Sequence, residues 1–327
     1  MLRNPNSRLA LAIPTYNRSA ILYENLKEML PEIREHSIPI YISDDSKDSE
    51  TESMVAKLKD EYEFIFYRRN DPSLGHDRNF FATLAMPDSD YVWYLGDSLY
   101  LRPGALTDVL ARANQGHDFI FINSYAKDPV DRAIEGKDVK DFLVDRGWYL
   151  TLSGATVYGR GPRSLPVAEE RRVQWTNFPQ LGLIFEYASL RPTSCAWLGQ
   201  PSICFNRKKK SYWLKTALRV FVRDWAALVR SFPRLFTESE QNHVIRSHGL
   251  NTGLFGFKSL IALHAVGGIS LPELKQLGAD FALASPISPH WAKLMCLTPR
   301  VLIKSVWSAG KAVNTALAGL RAASGQI

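Results

Sequence analysis

The 327-residue chain contains neither the GxGxxG fingerprint of dinucleotide binding nor a GxxxxGK[ST] phosphate loop, so a Rossmann dehydrogenase or a P-loop enzyme has no support. There is no HExxH and no Cys/His cluster, so nothing marks a metal hydrolase. Cysteine is scarce. Cys195, Cys204 and Cys296 are odd in number and form no CxxC, which argues against a disulfide framework or a zinc site and fits a reducing compartment. No uninterrupted apolar run reaches the length of about 18 residues that a membrane-spanning helix needs. The opening segment MLRNPNSRLALAIPTYNR lacks an apolar core of signal-peptide length, so no secretory signal is expected. Acidic residues are missing altogether after Asp280.

What is present is enough for a large core. With 46% hydrophobic residues, the chain is expected to fold as one large or two moderate globular domains. Its net charge of +7 is unevenly spread. From Arg207 to Arg234, nine lysines and arginines face Asp224 alone, and Lys293, Arg300, Lys304, Lys311 and Arg321 follow Asp280 unopposed. This asymmetry points to an anionic partner, either lipid headgroups or a phosphorylated acceptor, and not to nucleic acid. A solvated basic helix face is the plainer alternative.

Short apolar runs alternate with helical patterns through residues 8–125, which predicts a parallel α/β layer. Strands are expected at 9–13, 38–43, 63–67, 91–95 and 118–122, with helices near 19–30, 49–60, 75–86 and 103–114. Residues 126–150 read as a loop with a short helix, and 153–158 and 196–205 read as further strands. From about 206 the pattern turns helical. Apolar spacing predicts one helix over 212–232, stopped by Pro233. Thr237-x-x-Glu240 and Ser270-x-x-Glu273 are capping boxes, and Ser288-Pro289 and Thr298-Pro299 are cap-then-proline starts. On the helix from Pro299, Arg300, Lys304, Lys311, Arg321 and Trp307 share one face opposite an aliphatic stripe. That pattern suits a membrane-surface helix and equally suits one packed on its own domain. The expected division is 1–205 for an α/β domain and 206–327 for a helical region that could associate with a membrane.

The polar residues that could carry chemistry gather after the strands. Pro14-Thr15-Tyr16-Asn17-Arg18 follows the first. Such a turn offers backbone groups to a base, and Arg18 can reach a phosphate. Asp44 and Asp45 end the second, where a carboxylate can accept from a pyrimidine N3–H or a ribose hydroxyl, or cap the helix near Ser49. In 70–81 (NDPSLGHDRNFF), Gly75 permits a tight turn, Arg78 could bind a diphosphate and Asn79 could fix the loop. His76, a lone histidine beside that loop, reads as structural. Gly96 and Asp97 form the turn after the fourth strand.

The ordered set IPTYNR, ISDDSKD, RRN…LG.DRNF and YVW.LGD…L.PGAL resembles the family 2 glycosyltransferases of GT-A fold, and among them the abequosyltransferase-like sugar transferases of O-antigen and capsule. The resemblance covers 9–106 and thins beyond 150 to TNFPQLGLIF at 176–185. It implies a GT-A α/β fold with a mostly parallel central sheet and transfer of a sugar from a nucleotide-diphosphate donor, with inversion. The implied acceptor is a saccharide linked to a polyprenyl diphosphate at the cytoplasmic face of the inner membrane. It places Thr15, Asp44, Arg78 and Asp97 against the nucleotide sugar, with Asp97 in the catalytic turn, and Asn177 and Gln180 on the acceptor side. It also implies a divalent metal, magnesium or manganese. Here Asp97 alone remains of the acidic cluster, since Ser98 and Leu99 replace the expected carboxylates. The position of the general base reads Gln180, which takes no proton at neutral pH. Glu186, six residues on, reads as a solvated helix residue. These departures keep open a second reading, a catalytically impaired binding or scaffold protein.

Overall fold

The computed structural model describes residues 4–125, 127–206, 208 and 212–303. Its first compact unit comprises residues 1–210 and 227–244, and its second comprises 211–226 and 245–327.

The first unit is built on an eight-stranded sheet. The strands are β1 (Leu9–Thr15), β2 (Ile40–Asp44), β3 (Ile65–Arg69), β4 (Tyr91–Tyr94), β6 (Phe119–Ile122), β7 (Arg132–Glu135), β8 (Thr156–Gly159) and β9 (Ser194–Leu198), in the order β3-β2-β1-β4-β8-β6-β9-β7. A separate antiparallel ribbon joins β5 (Leu99–Leu101) to β10 (Ile203–Phe205). Strands β3, β2, β1 and β4 are mutually parallel, β6 and β9 are parallel to each other, and β8 and β7 run against their neighbours. The fold is a mixed α/β layer of GT-A type with a mostly parallel sheet and helices toward the C-terminus.

The central strands form where they do because both faces are covered. LALAI in β1, YVWY in β4 and FIFI in β6 are buried throughout, as continuous apolar runs in a parallel sheet must be. Helices α1 (Ser19–Glu35), α2 (Glu50–Lys59), α3 (His76–Leu84) and α4 (Ala105–Ala113) cover them. α1 turns Leu22, Leu26, Met29, Leu30 and Ile33 inward, and α4 turns Leu106 and Val109 inward. The two outer strands are different in kind. β3 exposes Phe66, Arg68 and Arg69, and β7 buries only Ile134 while Glu135 is exposed.

After α5 (Lys137–Arg146), α6 (Arg160–Arg163) and α7 (Glu169–Arg172) comes α8 (Pro179–Leu190). In α8, Gly182 lies against Trp175, where any Cβ would come within 2.1 Å of the indole. Bulk at this position would therefore push α8 off Trp175.

Several sequence expectations are corrected here. Residues 126–150 hold the expected helix, ten residues long, and in addition an edge strand, missed because one buried residue in β7 leaves too faint an alternation to read. The expected strand at 196–205 is two strands in different sheets, divided at Gly199-Gln200-Pro201. α1 continues through Pro31 to Glu35, with Ile33 fully buried. The helix expected over 212–232 is a succession: a 3₁₀ segment Tyr212–Thr216, a π-helical turn Arg219–Asp224 and an α-helical turn Trp225–Arg230.

The Thr237 capping box forms, with the Glu240 N–H donating to Thr237 Oγ1 at 3.4 Å, whereas at Ser270 the two side chains meet but the hydroxyl caps no backbone N–H. The Thr237 N–H donates to Glu240 Oε2 at 2.7 Å in the first unit, and Ser270 Oγ donates to Glu273 Oε2 at 2.5 Å in the second. The basic and apolar residues expected on one long tail helix fall mostly outside the described residues, among them Lys304, Trp307, Lys311 and Arg321. Among the described residues, no helix is long and apolar enough to cross a membrane.

The second unit packs around aromatic side chains. His248 is stacked on Phe221 with ring centroids 4.8 Å apart, beside Trp225, and burial pulls its imidazole down to about 3. An unfolded histidine titrates near 6.5, so the folded state holds His248 neutral and stability is complete above about pH 6.5. As pH falls below that value the unfolded state takes up a proton the folded state refuses, with a limiting loss of about 1.4 kcal/mol per pH unit. Thermal melts between pH 7 and pH 5 should show a falling midpoint. The His248→Phe variant should flatten that slope, and an unchanged slope would assign the pH dependence to other groups.

Candidate functional site

The strand order fixes where a ligand crevice opens. From β1 the chain builds outward through β2 and β3, then returns to place β4 on the other side of β1. Direction reverses between β1 and β4, and in open α/β sheets ligands bind outside the carboxyl ends of the strands at such a switch point. Thr15 ends β1, Arg18 stands immediately before α1, and Asp97 lies in the turn after β4. The three side chains meet. Asp97 Oδ1 accepts from Arg18 Nη1 at 2.9 Å, and Oδ2 accepts from Thr15 Oγ1 at 3.3 Å. Asn25 Nδ2, from the buried face of α1, donates to the Asp97 carbonyl at 2.9 Å. Asn25 was missed in the sequence. Its signal was there, as the one polar residue among Leu22, Leu26 and Met29 on the buried face.

The rest of PTYNR forms the rim. Pro14 lies within β1, Tyr16 is half exposed, and Asn17 takes a left-handed φ of 51°. The Asn17 N–H donates to Ser46 Oγ at 2.8 Å and its Oδ1 accepts from the Lys47 N–H at 3.3 Å, joining this turn to the one after β2. Gly96 packs over Leu99 and Ser153.

The two aspartates after β2 separate. Asp44 is fully buried, accepting from Tyr67 Oη at 2.8 Å and the Ser46 N–H at 2.9 Å. Burial and the neighbouring Asp44 carboxylate push the Tyr67 hydroxyl well above its ordinary range, which keeps it a donor. Asp45 instead grips the loop before α3. It accepts from the Leu74 N–H (2.8 Å), the Gly75 N–H (2.7 Å), Ser73 Oγ (2.7 Å) and Asn70 Nδ2 (3.0 Å). Burial opposes its charge, but these four donors outweigh burial and hold its carboxyl below the usual range. Neither aspartate caps α2; Asp48 accepts from the Glu50 N–H there.

Asn79 completes this arrangement. It is buried, and its Oδ1 accepts from Ser43 Oγ at 2.6 Å and Asn70 Nδ2 at 3.1 Å. Arg78 does not join Arg18 and Asp97. Its exposed side chain lies 3.3 Å from Glu169 and borders a cavity of about 660 Å³. His76, Asp77, Arg172 and Asn177 also line this cavity. His76 Nδ1 stands 2.7 Å from Asp77 Oδ1, and both Asp77 oxygens face the Asn177 N–H at 3.2 Å. The Arg172 guanidinium lies 4.3 Å over the Phe81 ring. Gln180 is buried and donates from Nε2 to the Thr151 carbonyl at 3.2 Å. Glu186, expected in solvent, is ion-paired with Arg171 at 2.8 Å.

The residues present do not fit a divalent metal. Asp97 is the sole carboxylate of its turn, and its two oxygens are already held by Arg18 and Thr15. Ser98 is buried, and Leu99 is a core residue of β5. Among the described residues no group of three His, Cys, Asp or Glu side chains could hold a metal ion. Magnesium and manganese prefer hard oxygen ligands, typically one or two carboxylates with the substrate's phosphates.

Comparison with known proteins accords with this geometry. Residues 10–162 match the model of glycosyl transferase family 2. Over this segment, a little under half of the chain, the protein is similar to that family. The segment contains Pro14 to Arg18, Asp44 and Asp45, Arg78 and Asn79, and Gly96 and Asp97, while Asn177 and Gln180 lie beyond it. Over 104 residues the chain is 39% identical to abequosyltransferase RfbV of Salmonella typhimurium, covering 30% of each. Over 117 residues it is 27% identical to the GalNAc(5)-diNAcBac-PP-undecaprenol beta-1,3-glucosyltransferase of Campylobacter jejuni, covering 36% of this chain and 38% of that protein. The chain thus spans about a third of the length of these curated relatives. The structure of S. aureus TarS 1-349 in complex with UDP superposes with a TM-score of 0.55 at 15% identity, over 93% of this chain and 92% of that one. The mannosyltransferase PcManGT of Pyrobaculum calidifontis, in complex with GDP-Man and Mn2+, gives 0.52 at 15% identity, over 93% and 88%. At that identity the likeness is one of fold.

The Asp45 contacts make the first unit sensitive to one carboxylate. Asp45→Ala should cost about 1.5–3 kcal/mol, the range for hydrogen bonds to a charged group, measured by denaturant unfolding. Because the folded carboxyl lies below its ordinary range, this stabilisation is complete above about pH 4 and fades as pH falls further. An Asp45→Ala protein as stable as the wild type at pH 7 would show that the loop is held by other contacts.

Proposed function

We propose that this protein is a glycosyltransferase that moves a sugar from a nucleotide-diphosphate donor to a saccharide acceptor in the synthesis of a surface polysaccharide. The observation that carries this is the meeting of Thr15, Arg18 and Asp97 at the β1/β4 switch point, within the segment similar to glycosyl transferase family 2. The names of the relatives lend further support. One is an abequosyltransferase, one acts on a PP-undecaprenol-linked saccharide, and two fold neighbours were solved with UDP or GDP-Man.

In this reading the nucleotide lies over the turns after β1 and β2, with Tyr16, Asn17 and Asp44 nearest the base and ribose, and the diphosphate lies toward Arg18. Transfer inverts the anomeric centre. The acceptor oxygen attacks C1 as the C1–O bond to the diphosphate breaks, that electron pair leaves with the diphosphate, and the acceptor hydroxyl loses its proton. The protein contributes alignment of the reactants and stabilisation of the departing charge. The acceptor side is assigned to the cavity beside α3, where the loop held by Asp45 meets Asn177. Gln180 cannot accept a proton, whereas Asp77, against His76, can.

A lipid-linked acceptor requires proximity to a bilayer. In the second unit Trp291 is 65% exposed, and Leu294, Leu297 and Leu302 are exposed near Lys293 and Arg300. Apolar and cationic groups so mixed suit the surface of an anionic membrane, with each cation contributing about 1 kcal/mol. In this reading the protein works peripherally on the cytoplasmic face of the inner membrane.

A panel of nucleotide sugars assayed for donor hydrolysis and transfer tests the activity. At least one donor should be turned over, and Asp77→Asn should slow transfer without weakening donor binding. Binding of nucleoside diphosphates with no turnover of any donor would instead establish an impaired binding protein. For the membrane, sedimentation with vesicles of acidic lipids should carry the protein down at low salt and release it at high salt. Protein left in the supernatant with acidic vesicles at low salt would remove the membrane from this account.

A further inference from the structure

The turn after β4 is arranged around a guanidinium. Arg18 Nη1 lies 2.9 Å from Asp97 Oδ1, Thr15 Oγ1 occupies Oδ2, and Asn25 fixes the backbone of Asp97 from below. The neighbours that would complete a cation site as carboxylates are closed to that role. Ser98 is 1% exposed, with its carbonyl accepting from the Asn206 N–H at 3.0 Å, and Leu99 is 1% exposed in the core. A divalent cation at Asp97 would have to share a single carboxylate with an arginine already paired to it, against like-charge repulsion.

Arg18 itself is well placed for an anion. It commits one nitrogen to Asp97, and a guanidinium has five N–H donors in a rigid fork. Its remaining donors have no partner among the described residues, and its side chain is 26% exposed. It precedes α1, a helix of 17 residues with no acid in its first turn, so the positive end of the helix dipole adds to the same field.

We propose that the Arg18 guanidinium, aimed by Asp97 and Thr15, neutralises the donor's diphosphate in place of a divalent cation, so that donor binding in this protein is independent of metal. This rests on the donor-site reading above. Asp97 is then a positioning residue for Arg18, and Arg18 touches the diphosphate through charge-assisted hydrogen bonds. As the C1–O bond breaks and its electron pair passes to the diphosphate, the charge that builds up there meets a cation already in place.

The test is calorimetric titration of the full chain with UDP and with GDP, in EDTA and in millimolar Mn2+. The inference expects at least one to bind, with affinities in the two conditions agreeing within about threefold. Arg18→Ala should weaken binding at least tenfold in EDTA, and Arg18→Lys should restore part of it, with melting curves confirming that both variants are folded. Binding at least tenfold tighter in Mn2+ than in EDTA would overturn the inference while leaving the donor site intact. So would an Arg18→Ala protein that binds as well as wild type in EDTA. Binding of neither nucleotide in either condition would overturn the donor-site reading, and the inference with it.

Discussion

The reversal of strand order between β1 and β4 is the constraint from which the rest of the site follows. It opens a crevice at the carboxyl ends of two adjacent parallel strands, and the Thr15–Asp97 hydrogen bond spans it. Everything polar that the neighbouring turns carry is directed to that end of the sheet, because the strands themselves are apolar and buried. Asp97 can be charged and nearly buried there because each oxygen has a donor and its own backbone carbonyl is held by Asn25.

The two aspartates after β2 show how neighbouring residues of one type are put to different uses. Strand alternation sends consecutive side chains to opposite faces. Asp44 remains inside, ordering Tyr67 and the turn to Ser46, while Asp45 reaches across to the loop before α3. Gly75, with φ of 76°, allows that loop to present two successive N–H groups to one carboxylate. The wall of the cavity near Asp77 is therefore tethered to the strand end that borders the β1/β4 crevice.

The sequence disclosed the helices and, except for the three-residue β5, the strands of residues 8–122, together with the GT-A class, since long buried runs and amphipathic helices are local patterns. Thr15, Arg18 and Asp97 were legible because Thr15 closes β1 and the other two stand in the turns that follow β1 and β4. The grip of Asp45 on Leu74 and Gly75 was not, since it joins residues about thirty apart through a loop whose path the sequence does not declare. Arg78 was expected near the diphosphate from its motif, but its direction on α3 turns it toward Glu169. The segment 212–232 was read as one helix because side-chain spacing is similar in all helical forms, while the backbone changes from 3₁₀ to π to α along it.

The outermost strands settle a different matter. A sheet of eight strands ends in two rows of backbone groups that could continue into another molecule. Here one row is β3, closing on exposed Arg68 and Arg69, and the other is β7, only four residues long with Glu135 exposed. Charged side chains and short length are features that discourage pairing at a sheet edge. The sheet is thus self-limiting, and a protein with so large an apolar core is protected against polymerising through its own edges.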